Sequence, residues 1–179
     1  MKSLQMQSCV HDEGTIECAL FDIDVPAPSA KEVMVKIEAS PINPSDLGLM
    51  FGAADIDSIR ASERNGHPSI ILDVPPPVMR AMATRINEWL PVGNEACGTV
   101  VEAGASPEAQ ALLGKRVALF GGEMYSNYHH FRLSVHSIGG RHDTRRGCLL
   151  FCESYDSTWI RRNHEDGRTQ GNRSHGGGV

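Results

Sequence analysis

The stretch LPVGNEACGTVVEAG, Leu90 to Gly104, reads as a turn feeding a buried strand. Gly93 and Gly98 bracket Asn94-Glu95, Thr99-Val100-Val101 is β-branched and apolar, and Gly104 closes the run. β-Branched residues between glycines favour a strand, and glycine lets backbone approach backbone closely. The polar Asn94-Glu95 pair at the mouth of such a strand marks the stretch for function as well as fold.

Upstream, Thr15 to Asp22 alternates, with Ile16, Cys18 and Leu20 on one face. Val33 to Ala39 is the clearest strand. Val33, Val35, Ile37 and Ala39 face one way, and Met34, Lys36 and Glu38 the other, as expected for a half-buried antiparallel strand. Pro41 and Pro44 stop it, and Ser40 to Gly52 predicts a tight turn into a short helix. Asp55 to Pro77 reads as a polar connection with a helical turn at Asp57–Arg64. Val78 to Leu90 carries Met79, Met82, Ile86 and Trp89 at helical spacing, so an amphipathic helix is expected there. Downstream, Ser106-Pro107 caps a short helix that Gly114 ends. Arg116–Phe120 is a strand, and the aromatic alternation of MYSNY suggests another.

The chain has 179 residues and 40% apolar content, enough for one domain with a core. A net charge of −5 argues against a nucleic-acid partner. No apolar run is long enough to span a membrane, and MKSLQMQSCVHDEG lacks a signal core, so a cytoplasmic location is expected. Cys9, Cys18, Cys97, Cys148 and Cys152 are odd in number and widely spaced, unlike a disulfide framework.

Composition changes near His129. Residues 1–128 hold all four lysines, five arginines and seventeen acids. Residues 129–179 hold no lysine, eight arginines, five acids and six of the eight histidines. The expected organisation is therefore one domain, 1–128, and an irregular tail, 129–179, largely disordered because it buries too little to offset chain entropy.

Three blocks of the first part resemble the N-terminal catalytic domain of the medium-chain dehydrogenase/reductase superfamily. Lys31–Ser40 is similar to its GEVLVKVEAAG strand, and Ile42-Asn43-Pro44-Ser45-Asp46 to the VNPxD of quinone oxidoreductases. Leu90–Gly104 with Gly114-Lys-Arg-Val117 is similar to its PGxExxGxVxxxG…GDRV pattern. The resemblance covers residues 15–128, with a longer Phe51–Leu90 connection. It implies a mainly β fold with short helices, a β-rich α+β, in the form of a GroES-like, partly open, twisted barrel.

It also implies an oxidoreductase that moves hydride between NAD(P)H and a small carbonyl or quinone substrate, in an assembly that could be a homo-oligomer. The departures matter. The family's zinc enzymes have a Cys thiolate where Asn43–Asp46 stands and a His where Asn94 stands. Catalytic zinc needs three protein ligands of thiolate, imidazole or carboxylate type, and an amide is a poor replacement. The domain therefore reads as metal-free. By resemblance, Asn43 lies at the nicotinamide and substrate cleft, with Asp46 nearby and Glu95 across it, while no residue is assigned as a proton donor.

No strand–GxGxxG–helix unit is present in the 179 residues, so the Rossmann domain of the relatives is missing from them. The next reading frame of residues 130–179 can encode a strand, a TPAEGAS-like run, a helix and an HKAIVHTAAAS-like opening of such a domain. Residues from about His129 are therefore read as an out-of-frame translation. On this reading the chain is a catalytic-domain fragment, inactive alone, that binds no nucleotide tightly. The alternative is a stand-alone GroES-like binding or assembly module.

Overall fold

The computed structural model describes residues 1–133 and, as backbone, the strand at 148–151. Ten strands dominate: β1 (Lys2–His11), β2 (Thr15–Asp24), β3 (Glu32–Ala39), β4 (Asp55–Arg64), β5 (His67–Asp73), β6 (Leu90–Pro91), β7 (Glu95–Ala103), β8 (Arg116–Phe120), β9 (Tyr128–Arg132) and β10 (Cys148–Phe151). The helices are short: α1 (Pro44–Met50), α2 (Pro76–Ala81), α3 (Pro107–Gln110) and a 3-10 turn at Ala83–Arg85. The strands form two five-stranded sheets, ordered β4-β5-β2-β1-β6 and β10-β8-β7-β3-β9. Every pairing between named strands is antiparallel. The fold is mainly β with short helices, and neither sheet closes on itself.

The 90–104 stretch contributes to both sheets: Leu90–Pro91 is β6, at the edge of the first, and Glu95–Ala103 is β7, at the centre of the second. β7 pairs with β3 on one side and β8 on the other. Ala96, Gly98 and Val100 point inward, and Val33, Val35, Val117, Leu119, Phe131, Met124 and Ala109 close the core around them. Gly98 is required there: a Cβ would overlap the carbonyl of Lys36 on β3. Met34 lies on the face expected to be polar, yet it is fully buried. A register shift between Met34 and Val35 accompanies that departure from strict alternation.

Three expectations are corrected. Asp57–Arg64 is not a helical turn: Asp55–Asp73 is the β4–β5 hairpin, closed by Asn65-Gly66 with both residues at positive φ (54° and 79°), and α2 begins at Pro76. An Asn-Gly pair between extended runs is a strong hairpin signal, because such tight turns need positive φ. The helix expected over Val78–Leu90 stops early. Ile86 is extended and Asn87 is left-handed (φ 59°), so Trp89 leaves the helical line. Met79, Met82 and Ile86 still pack against Val10, Ile16, Leu72 and Val74. Finally, Met124–Asn127 is bent backbone that meets β1 through one isolated bridge, Ser126 to Gln5, and the continuous strand begins at Tyr128.

The expected boundary between residues 128 and 129 falls inside β9, which pairs with β3 from Glu32 to Lys36. The remainder of the expected tail, on which the expectations of disorder and of a frame change fall, lies outside the described residues apart from the backbone of β10. No helix among the described residues is long and apolar enough to cross a membrane.

The outer face of the first sheet holds a buried ionic cluster. Glu17, on β2, takes Arg64 bidentately (Nε–Oε1 3.0 Å, Nη2–Oε2 2.5 Å) and faces His11 Nε2 at 3.3 Å. Arg64 also lies 4.8 Å over the Trp89 ring. Burial, the largest single influence, would raise the Glu17 pKa, but the hydrogen bonding and charge of Arg64, with Ser69 and His11, together outweigh it and hold the carboxyl below its ordinary value. The cluster ties the end of β4 to the sheet.

Candidate functional site

Helix α1 starts at a proline, with Asn43 as its extended N-cap (φ −91°, ψ 158°). Proline suits the first helical position because its missing N–H would have no helical partner there. Asp46 sits one turn in. Its Oδ2 accepts the Asn43 backbone N–H at 2.8 Å, the return half of a capping box. Its Oδ1 accepts two bonds from the other motif: the Asn94 backbone N–H at 2.9 Å and the Asn94 Nδ2 at 2.7 Å. Asn94 Nδ2 also donates to Ser45 Oγ at 3.1 Å. Two segments 48 residues apart in sequence are thus joined by one carboxylate.

Asp46 is completely buried, so its role in the geometry is to clamp rather than to face solvent. Asn43 is half-buried at the start of the helix, between exposed Ile42 and exposed Pro44. Glu95 follows Asn94 directly, opens β7, and lies opposite Phe120 of β8. Opposed residues of an antiparallel pair project from the same face. Glu95 therefore shares the outward face with Phe120, whose ring is about half exposed (47%). The structure brings Asn43 and Asp46 together with Asn94. Glu95 is adjacent through the chain, and no side-chain bond joins it to the other two.

Tyr125 is a residue that sequence reasoning missed. Its backbone N–H bonds the Val92 carbonyl at 3.0 Å, and Met124 N–H bonds the Gly93 carbonyl at 3.1 Å. Its ring fills the hollow at Gly93, where φ is 96° and any Cβ would overlap the ring. Its hydroxyl donates to the Pro41 carbonyl at 2.9 Å. Burial first, then the charge of Asp46, push the phenol up to about 12, so it is a hydrogen-bond donor at neutral pH. The bent backbone ahead of β9 thereby braces both motif segments. The only sequence signal was Gly93, since glycine permits a close approach without saying by what.

Ser45, Asp46 and Asn94 offer hydroxyl, carboxylate and amide groups that are bonded to one another, and no group of three His, Cys, Asp or Glu side chains placed to hold a metal ion is found among the described residues. Cys97 points away on the outward face of β7, and burial raises its thiol pKa.

No protein-family model and no curated protein matches this chain. Among solved structures, it is similar to one described as an NADPH:quinone reductase from Mesorhizobium loti, at 22% identity over 73% of this chain and 34% of that one, with a TM-score of 0.41. It is similar to another so described from Bacillus thuringiensis, at 22% identity over 74% of this chain and 31% of that one, with a TM-score of 0.45. A mycobacterial protein solved as a complex with NADPH is 19% identical over 70% of this chain and 31% of that one, with a TM-score of 0.35. The chain spans about a third of the length of the structures it matches.

Proposed function

We propose that the described residues form the substrate-side part of a zinc-independent oxidoreductase acting on a small carbonyl or quinone compound with NAD(P)H. The observation that carries this reading is the Asp46 clamp. It holds Asn43–Asp46 against Asn94–Glu95, the two segments that resemble the cleft of the quinone oxidoreductases, and it uses the groups that would otherwise be metal-ligand positions.

When bound, the nicotinamide supplies or accepts the hydride. The protein's part is positioning and a fixed polar environment. Asn43, at a constrained helix cap, offers an amide to orient the cofactor or substrate. Asp46 keeps that cap in place. Glu95 shapes the rim beside the exposed Phe120 ring. Neither carboxylate is given a proton-transfer role.

Nucleotide affinity separates the whole enzyme from these 179 residues. The pyrophosphate is ordinarily held by a glycine turn at a helix N-terminus, which this sequence does not contain. Titration of NADPH fluorescence with the 179-residue chain should show no saturable binding. A chain with the shifted frame restored from residue 130, extended by its downstream coding sequence, should bind and turn over. Tight binding to the 179-residue chain would refute the placement of the cofactor. A closed shifted frame would end the fragment reading and leave a stand-alone binding module. The purified chain should also carry no stoichiometric zinc; one tightly held zinc per chain, lost in Asn94→Ala, would overturn the metal-free assignment.

A further inference from the structure

Helix α1 is only seven residues long, yet it carries Asn43 and Asp46 and is held at both ends. The N-terminal clamp is the Asp46–Asn94 set. The C-terminal end is gripped by three side chains. Ser8 Oγ donates to the Leu49 carbonyl at 2.9 Å, Arg85 Nη2 donates to the same carbonyl at 2.9 Å, and Cys18 Sγ donates to the Met50 carbonyl at 3.0 Å. Arg85 Nη2 also reaches Ser8 Oγ at 2.8 Å.

Arg85 is unusual in this place. It comes from the 3-10 turn inside the long Phe51–Leu90 connection, and no ion pair to a carboxylate is found for it among the described residues. Its Nε is buried without an acceptor there. Burial pulls its pKa down, so the charge is kept against a desolvation cost. A cation at the C-terminal end of a helix is favoured by the carbonyl dipoles, and Leu49 supplies one directly. The connection that exceeds the family pattern thus delivers a guanidinium to the far end of the site-bearing helix.

We infer that Arg85 is a positioning residue for the candidate site. By gripping the Leu49 carbonyl it sets the tilt of α1, and so the position of Asn43 and of the Asp46–Asn94 clamp one helix length away. The inference rests on the reading of Asn43 and Asp46 as site residues. Its test uses no activity, so the two can fail separately.

The experiment is amide hydrogen exchange on the 179-residue chain, wild type against Arg85→Met and Arg85→Lys. Methionine keeps the apolar stem and removes the donors and charge; lysine keeps a charged donor. The near probes are the Phe51 and Gly52 N–H groups, which bond to Leu47 and Gly48. The far probes are Asp46 N–H, bonded to Asn43, and Asn94 N–H, bonded to Asp46. Val100 N–H, bonded to Lys115, is the remote control.

Arg85→Met should speed exchange about tenfold at the far probes as well as the near ones, the factor that one hydrogen bond to a charged donor controls. Val100 should be unchanged, and lysine should restore protection at both ends. Acceleration confined to Phe51 and Gly52 would overturn the proposal, because Arg85 would then be a local cap. Equal acceleration at all five probes would overturn it too, because the residue would then serve stability alone. If Arg85→Met does not fold, Arg85→Gln, which retains an N–H donor without the charge, is read on the same probes and by the same criteria.

Discussion

Replacing Asp46 with alanine removes the acceptor for three N–H groups at once: the Asn43 and Asn94 backbone amides and the Asn94 side-chain amide. The Asn94 side chain is half-buried and can turn toward water, so its loss is small. The two backbone donors have no such freedom, and an unsatisfied donor in a buried setting costs about 1–3 kcal/mol. Asp46 itself is fully buried, so its removal also leaves a small void beneath α1. The expected total for Asp46→Ala is about 3–5 kcal/mol. Asp46→Asn keeps an oxygen for Asn94 but turns an NH2 toward the Asn43 donor, and should cost about 2–3 kcal/mol. Asn94→Ala loses only side-chain bonds, about 1 kcal/mol, because the Asn94 backbone N–H keeps its acceptor. The predicted order of loss is Asp46→Ala, then Asp46→Asn, then Asn94→Ala. Urea unfolding followed by far-ultraviolet circular dichroism measures all three with a common slope. A loss below about 1 kcal/mol for Asp46→Ala, or an Asn94→Ala loss as large as it, would refute the clamp.

Gly98→Ala should fail to give folded protein, because the new Cβ would overlap the Lys36 carbonyl and the Val35 side chain across the β3–β7 ladder; a native dichroism spectrum and melting point would contradict the strand spacing described. His129, opposite Val35, has its pKa pushed down to about 4 by burial and then by its neighbour His130. The folded state therefore binds fewer protons than the unfolded chain between about pH 6.5 and pH 4, so stability falls as pH drops through that window, by at most about 1.4 kcal/mol per pH unit. His129→Phe should flatten that slope in a series of melts from pH 7 to pH 4, and an unchanged slope would show that the ring is solvated.

Local sequence pattern was enough to locate most of the second sheet. The alternation of Val33–Ala39, the β-branched run after Gly98 and the Ser106-Pro107 cap all act over a few residues, and the structure places β3, β7 and α3 there. The family resemblance of Ile42–Asp46 and Leu90–Gly104 picked out Asn43, Asp46 and Glu95 for the site. It did not reveal that Asp46 turns inward. That choice depends on Asn94 arriving with two donors, and a contact between residues 48 positions apart leaves no periodic trace in either segment.

The first sheet was harder to read for a similar reason. β4 has hardly any buried side chain, so its strand character comes from pairing with β5 and from the Asn65-Gly66 turn rather than from an apolar face. Val78–Leu90 was read as a longer helix because its apolar spacing is helical. The chain instead leaves the helix at Ile86, which bridges to Val10, while the Asn87 N–H bonds the Val10 carbonyl. Tertiary hydrogen bonding at that point outweighs one more turn of helix. The same detour brings Arg85 beneath α1 and Trp89 over Arg64. Sequence by itself located β3, β7 and β8, whose patterns are local, and the resemblance singled out Asn43, Asp46 and Glu95 as candidates. Only the packed structure decided which of those polar groups face inward to hold the others, since that depends on partners the chain supplies from a distance.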